Sequence, residues 1–304
     1  MSECHDNCCD EGWDIYIDDK TYELYKKMGV PQIDSKISST QPRKLIKKDG
    51  KCPFITPEGL CIFHRDYGEE YLSNTCRSYP RFVSTYEDVY LETLGMSCPA
   101  TVKCVIDHSE PIVFKETTYY EEEAEIGKKA EASEAEKKAR NVIYQFNPLS
   151  NTISTYIELL TEDSQNQKKC NLDREELMEV LRSETKGTPS ERYVQELFDD
   201  ISVTTNDISD IERNITAISK SFSCNVNRIW LFEHLMLESH KEKSDIKSVI
   251  KRGYVMWNLL LIALKRYICK NEDIDESILI DCTYKVMRIV DHGDRLLYVL
   301  VENL

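Results

Sequence analysis

Cysteine pairs separated by two residues are missing from the sequence, although it contains 12 cysteines. No Cys-x-x-Cys occurs, and zinc ribbons and fingers usually supply their ligands as such pairs. The Cys-x3-Cys-x2-Cys signature of radical S-adenosylmethionine enzymes is also absent, because Cys9 follows Cys8 directly and position 11 is Glu11. These absences argue against a zinc ribbon and against a radical enzyme of that type.

Glycine is scarce, and the 10 glycines never occur as Gly-x-Gly. A glycine-rich turn between a strand and a helix is the usual way in which a Rossmann-type domain binds a nucleotide cofactor. We therefore do not expect a Rossmann-type methyltransferase domain in this chain.

The sequence also shows no leader and no membrane-spanning segment. It opens Met-Ser-Glu-Cys-His-Asp, without the basic and apolar regions of a secretory signal. Only 12 residues separate Arg252 from Lys265 around the longest apolar run, whereas a membrane span needs about 20. We expect a cytoplasmic protein without membrane contact. In that reducing compartment its cysteines should bind metal or do redox work rather than form disulfides.

Basic residues are fewer than acidic ones, with 39 Lys and Arg against 54 Asp and Glu. The formal net charge is -15. Nucleic-acid phosphates would be repelled by such a surface, so a nucleic-acid partner is not expected. A basic, lysine-rich protein partner is compatible with it.

The cysteines that are present gather at one end of the sequence. Eight of the 12 lie in the first 104 residues. We predict a mostly α fold in which a cysteine-rich, metal-binding N-terminal part (1–118) with a small β-hairpin precedes an all-helical C-terminal bundle (141–304). The segment 119–140 is dense in Glu, Lys and Ala and is predicted to be a charged linker or helix.

Local sequence signals predict where the helices and the hairpin lie. A helix is predicted over 18–28, a loop over 31–50, a short helix that opens near Gly68 and ends near Cys76, and a hairpin over 82–94. In the back half, helices are predicted over 226–240, 245–269, 275–290 and 294–301. Cys104, Cys269 and Cys282 lie among apolar residues and are predicted to pack in the core.

Seven cysteines are candidate metal ligands, because they lie in turns or at predicted helix ends, where a thiolate is free to point at a common centre. They are Cys4, Cys8, Cys9, Cys52, Cys61, Cys76 and Cys98. Pro99 after Cys98 predicts a helix start, where the helix dipole favours a thiolate. Scattered single cysteines fit an iron–sulfur cluster better than zinc, with zinc as the alternative. Which four ligate one cluster stays open.

Five sequence blocks, in their residues and their order, resemble the flagellin lysine-N-methylase family. The blocks are Cys-His-Asp-Asn-Cys-Cys-Asp-Glu-Gly-Trp-Asp-Ile-Tyr-Ile-Asp (4–18), Gly-Lys-Cys-Pro-Phe (50–54), Gly-Leu-Cys-Ile (59–62), Tyr-Leu-Ser-Asn-Thr-Cys-Arg-Ser-Tyr-Pro-Arg (71–81) and Ser-Cys-Pro (97–99). Family members usually carry a further cysteine shortly before the one that matches Cys4. The front also resembles a wider group of small iron–sulfur or zinc proteins.

The resemblance implies methyl transfer from S-adenosylmethionine to lysine side chains of a protein, flagellin among them, with an iron–sulfur cluster in the enzyme, most simply 4Fe-4S. It does not assign the cofactor pocket or the base. Tyr79, Asp66 and His64 are candidate bases near the motifs, and His234 is interpreted as a core histidine. The alternatives are a non-enzymatic zinc or iron–sulfur scaffold and a redox protein.

Overall fold

The computed structural model describes most of the chain, and the statements below concern those residues. They are 8–10, 13–48, 50–86, 89–115, 133–146, 152–162, 174–198, 208–239, 245–269, 273–291 and 296–302. The chain is mostly helical, and a single two-stranded sheet occurs in these ranges. This confirms the predicted balance of helix and hairpin.

The front carries four short helices and the hairpin. Their bounds are α1 Asp19–Lys27, α2 Ile33–Lys36, α3 Ile62–Asp66, α4 Asn74–Ser78, β1 Arg81–Tyr86 and β2 Val89–Leu94. Longer helices follow. They are α5 Pro99–Asp107, α6 Glu134–Gln145, α7 Thr152–Glu162, α8 Arg174–Thr185, α9 Glu191–Phe198, α10 Ile208–Ile218, α11 Phe222–Ser239, α12 Ile246–Cys269, α13 Glu276–Asp291 and α14 Leu296–Glu302.

Capping residues account for where the helices begin. The Asp18 carboxylate accepts a hydrogen bond from the Thr21 backbone N–H at 2.9 Å and so caps α1. Asp245 does the same for α12 through the Ser248 N–H at 3.0 Å. Because these caps are read directly from sequence, the predicted starts of α1 and α12 agree with the structure to within one residue. The short helix predicted to open near Gly68 begins instead at Asn74.

The front has a small aromatic core of its own. The Tyr25 ring stacks on Phe63 with 4.0 Å between centroids, and Phe54 meets Phe63 edge to face at 4.8 Å. The hairpin follows, with Arg81 paired to Leu94 and Tyr86 paired to Val89. Its predicted turn at 87–88 lies outside the described residues.

The helical bundle is organised around α12. This helix packs against α7, α9, α10, α11, α13 and α14, and every residue from Arg252 to Lys265 is buried. An apolar helix that is covered on all sides lies at the centre of a core. No helix in the described parts of the chain is long and apolar enough to cross a membrane.

Gly253 lets two aromatic side chains approach the backbone of α12. A Cβ at this position would lie 2.5 Å from the Tyr156 hydroxyl oxygen and 3.0 Å from Trp230. We expect Gly253→Ala to lower the free energy of unfolding by about 1–3 kcal/mol, because the core would be overpacked. Urea unfolding measures the change. Gly95→Ala is the control, since its Cβ would meet its nearest neighbour at 3.4 Å. Equal stability of the two variants would contradict the expectation.

Helix α5 belongs to the bundle core although the sequence groups it with the front. Met96, Val102 and Ile106 lie in the same buried cluster as the C-terminal helices. Asn225 on α11 fixes the chain after α5, since its Oδ1 accepts a hydrogen bond from the Ile112 N–H at 2.8 Å. By its packing, α5 is therefore part of the bundle. The proposed division at 118 remains a prediction.

Four details differ from expectation. Cys104 and Cys269 are exposed, not core residues. On α5 the buried positions are Val102 and Val105, and Cys104 lies about 200° from Val102 around the helix, so it faces away. Cys269 is the last residue of α12, beyond the buried stretch. Cys76 lies inside α4 rather than at a helix end, and the loop 31–50 contains the one-turn helix α2. Cys282 is buried, as predicted.

Candidate functional site

Five of the predicted ligands come together in the front part. Cys9, Cys52 and Cys61 are buried in its apolar cluster, and Cys8 and Cys76 pack against the same cluster. They arrive from three separate stretches of sequence. The structure therefore brings cysteines that are distant in sequence into one neighbourhood.

Turns and helix ends position the thiols. The Cys52 backbone N–H donates to the Cys9 carbonyl at 3.0 Å, which joins the N-terminal segment to the second motif. Gly59 has φ of 78°, which favours glycine, and it closes the turn that returns the chain to Cys61. Cys61 caps α3, and the Cys76 backbone N–H donates to the Ser73 hydroxyl at 3.2 Å.

The thiols influence each other's protonation. The Cys9 thiol is hydrogen-bonded to the sulfurs of Cys8 and Cys52, and this contact is the main reason that the pKa of each of those two thiols is lowered. The same contacts raise the pKa of Cys9. Burial raises the pKa of Cys61, and it raises the pKa of Cys76 to about 11.

The side chains are gathered but are not arranged as a coordination sphere. Among the described residues, no group of three or more His, Cys, Asp or Glu side chains is placed to hold a metal ion. Cys4 lies outside those residues. The donor chemistry fits a thiolate-bound metal, and the ligand set remains a prediction.

Cys98 lies at the junction with the bundle. It is the N-cap of α5 with Pro99 as the first helical residue, as predicted. Tyr79 lies within electrostatic reach of both Cys98 and Cys8, and burial raises the pKa of its hydroxyl. The Tyr79 hydroxyl is 3.3 Å from the Ser97 hydroxyl. Tyr79 therefore lies near Cys98 and also near Cys8, which is one of the five gathered cysteines.

Arg288 on α13 ties the bundle to this junction. Its side chain is 1% exposed. Its Nε donates to the Ser97 carbonyl at 3.0 Å and its Nη1 donates to the Tyr193 hydroxyl at 2.6 Å. The guanidinium also lies 5.6 Å from the Trp13 ring centroid, and its charge helps to lower the pKa of Cys8. Sequence reasoning missed Arg288, although an arginine on the buried face of an apolar helix is an available signal.

Two further charged side chains near the motifs have ordinary roles. The Arg77 guanidinium donates to the carbonyls of Glu70 and Leu72 at 2.9 and 3.0 Å, so it holds a turn and is not placed as a donor to sulfur. The Asp66 carboxylate pairs with Arg65 at 2.6 Å on the exposed surface. These contacts give neither residue a role in catalysis.

A second group of polar side chains, called here the acidic cluster, comprises Glu233 and His234 on α11 and Asp291 on α13, with the Trp230 ring beside His234. Desolvation raises the pKa of Glu233 to about 7 and that of Asp291 well above its usual range, with the Glu233 charge as the next cause for Asp291. Yet Glu233 is partly exposed and Asp291 is exposed. Both carboxyl groups therefore reach solvent.

His234 packs against Trp230 in the acidic cluster. Its ring stacks on Trp230 with 3.9 Å between centroids, and its Nδ1 is 2.8 Å from the Trp230 carbonyl. Desolvation lowers its pKa to about 4, so the imidazole is neutral near pH 7. This agrees with the interpretation of His234 as a satisfied histidine. Glu233 and Asp291 were not singled out from sequence, because 57 intervening residues hide their proximity.

Comparisons with known proteins support part of the resemblance. The lysine-N-methylase of Salmonella typhimurium is 27% identical over 132 residues, 38% of this chain and 32% of that protein. The lysine-N-methylase of Salmonella choleraesuis gives the same values. The flagellar biosynthetic protein FliU of Salmonella muenchen is 27% identical over 130 residues, 38% of this chain and 74% of that protein. The chain thus covers less than two thirds of the length of the two methylases.

No protein-family model matches the chain, and no solved structure matches it. The findings show a distant similarity to proteins that are named for lysine methylation and for flagellar biosynthesis.

Proposed function

We propose that this protein transfers methyl groups from S-adenosylmethionine to lysine side chains of a protein, of which flagellin is one candidate, and that it carries an iron–sulfur cluster. The observation that carries the proposal is the gathering of Cys8, Cys9, Cys52, Cys61 and Cys76 in one cluster. Relatives named lysine-N-methylase and FliU support the reaction and the flagellar substrate.

The cysteines of the front would hold the cluster. Cys52, Cys61 and Cys76 are the proposed central ligands, with a fourth thiolate from Cys98 or from one of Cys8 and Cys9, since adjacent cysteines rarely both reach one metal. Cys4 is a further candidate. A bound 4Fe-4S cluster would supply redox-active iron in a site whose thiolates set its potential. Zinc on the same thiolates is the alternative occupant.

The chain's own residues must handle the substrate. A lysine ε-ammonium has a pKa of about 10.4, so it needs a desolvated site or a base before it can accept a methyl group. Tyr79 has a raised pKa and Asp66 pairs with Arg65 in solvent, so neither is suited to remove a proton at neutral pH. His64 is exposed on α3, where a lysine would stay hydrated. The base must be sought elsewhere in the molecule.

Iron content tests the ligand set. We expect anaerobically purified protein to hold about four iron atoms per chain, and we expect Cys61→Ser and Cys76→Ser to reduce this about ten-fold, because each removes a thiolate from the centre. Visible absorption and metal analysis measure it. Cys104→Ser is the matched control, since this thiol is exposed. Full iron content in both variants would contradict the ligand assignment, and zinc in place of iron would contradict the cluster.

Transfer of labelled methyl groups from S-adenosylmethionine to purified flagellin measures the activity. We expect N-methyllysine in the product, and the Cys61→Ser variant should form none. Absence of transfer to flagellin by protein with full iron content would overturn flagellin as the substrate, and absence of transfer to a lysine-rich protein mixture as well would overturn the enzymatic proposal and favour a scaffold or redox protein.

A further inference from the structure

A buried arginine of the bundle contacts the chain beside each candidate for the fourth metal ligand. Arg288 lies on α13 and is 1% exposed. Its Nε donates to the Ser97 carbonyl at 3.0 Å, and that carbonyl belongs to the peptide group that joins Ser97 to Cys98. The guanidinium also lies 5.6 Å from the centroid of the Trp13 ring, and Trp13 follows the Cys8–Cys9 pair by four residues. Arg288 thus binds both segments.

The Trp13 ring connects this arginine to the gathered cysteines. It packs against the apolar cluster of the front that contains three of them. It also lies 6.1 Å from the Tyr79 ring, measured between centroids, and the Tyr79 hydroxyl is 3.3 Å from the Ser97 hydroxyl. The guanidinium is therefore packed against the cysteine-containing cluster through Trp13.

Neighbours on α9 and α13 hold the Arg288 guanidinium in one orientation. Its Nη1 donates to the Tyr193 hydroxyl at 2.6 Å. The guanidinium lies 4.6 Å from the centroid of the Tyr284 ring and 5.7 Å from that of the Tyr193 ring. An arginine side chain keeps its charge under all conditions in which proteins fold. A permanent positive charge is therefore fixed at the junction of the bundle and the front.

A thiolate-bound metal centre in the front would carry the opposite charge. Four thiolates outnumber the positive charge of Zn²⁺ and of a 4Fe-4S core, so either occupant leaves the centre anionic. Cys9, Cys52 and Cys61 are buried, and an anion in such surroundings is costly unless a cation or hydrogen-bond donors offset it. A fixed guanidinium at the edge of the cluster lowers that cost.

We propose that Arg288 is a positioning residue for the metal centre, which holds the backbone beside Cys98 and the Trp13 ring in place and offsets the negative charge of the thiolates. The inference rests on the metal centre of the proposed function and is independent of methyl transfer. Uptake of one electron from an added reductant makes a 4Fe-4S cluster more negative, so a nearby cation favours the reduced state. Arg288 should therefore raise the reduction potential of the cluster.

Redox titration of the anaerobic holoprotein with dithionite, followed by visible absorption, tests the role. We expect Arg288→Gln and Arg288→Met to lower the ratio of reduced to oxidised cluster about ten-fold at a given potential, which is a shift of about 59 mV for one electron. Arg288→Lys keeps the charge and should stay within about three-fold of the unmodified protein. Far-ultraviolet circular dichroism shows that each variant is folded.

Arg228→Gln is the matched control. Arg228 is 8% exposed, and it too donates to backbone carbonyls, those of Ile112 at 3.1 Å and Phe146 at 2.9 Å. It makes these contacts within the bundle, so its loss should weaken the fold without changing the potential. An equal shift in Arg228→Gln and Arg288→Gln would show general loosening and overturn the proposal. So would an unchanged potential in both neutral variants, or an equal shift in Arg288→Lys.

Metal analysis separates this inference from the proposed function. The expected potentials in a protein that transfers no methyl group would overturn the enzymatic activity and leave the role of Arg288 standing. Zinc in place of iron would overturn the cluster alone. The zinc dissociation constant, measured by competition with a chelator, should then rise about ten-fold in Arg288→Gln and not in Arg288→Lys, because the cation stabilises the anionic complex. Protein that holds neither metal would overturn both proposals.

Discussion

Removing the proposed metal should unfold the front of the molecule and leave the bundle intact. We expect amide hydrogen exchange to accelerate over residues 13–80 after anaerobic chelation, while α6 to α14 keep their protection. The front has short helices and one small aromatic core, so metal binding would supply much of its folding free energy. Structural zinc sites set the scale at roughly 10–16 kcal/mol.

The amides of helix α5 give a second readout in the same exchange experiment. The helix precedes the predicted boundary at 118 but packs in the larger core through Val102 and Ile106. Its amides should therefore stay protected together with the bundle after chelation. Uniform loss of protection along the chain would show that the two parts unfold as one cooperative unit. No change in the front would show that its apolar cluster is sufficient without metal.

Replacing Arg288 by methionine should lower the free energy of unfolding by about 1–3 kcal/mol. The change removes the donor that reaches the Ser97 carbonyl at 3.0 Å and one of the two donors to the Tyr193 hydroxyl, which keeps its hydrogen bond from Arg192. Each buried polar group that loses its partner costs about 1–3 kcal/mol. Urea denaturation followed by far-ultraviolet circular dichroism measures the loss.

The control for Arg288 is Arg213→Met. Arg213 pairs with Asp210 at 2.7 Å, but 75% of its side chain is exposed, and exposed pairs contribute about 0–1 kcal/mol. A loss below 1 kcal/mol for Arg288→Met, or an equal loss in the two variants, would show that the Arg288 contacts do not hold the junction.

Local sequence signals predicted the helices and the hairpin. The surroundings of individual side chains depend instead on contacts between residues that are far apart in sequence. Asp18, Asp245 and Pro99 mark helix starts that agree with the structure, because a cap acts within one turn. Cys104 was misassigned because apolar neighbours in sequence do not share its side of α5. The turns around Cys52 and Cys61 predicted ligands, and the structure does bring these residues together.

The acidic cluster could not be predicted in the same way. Glu233 lies on α11 and Asp291 is the last residue of α13, and no periodicity within either helix shows that the two approach each other. Arg288 is different, since a charged residue inside an apolar helical pattern already suggests a buried polar contact. Its partners Ser97 and Tyr193 come from elements far away in sequence.

The central position of α12 also governs the order in which the polypeptide can fold as the ribosome makes it. Helices α7, α9, α10 and α11 all pack against α12, yet Ile246–Cys269 is synthesised after them. Their apolar faces remain without their main partner until that late segment emerges. The ring–ring contacts of the front that the structure describes lie before residue 80, so its aromatic core has its partners from the start. Nascent chains that stop before α12 should therefore depend on chaperones for the bundle and not for the front.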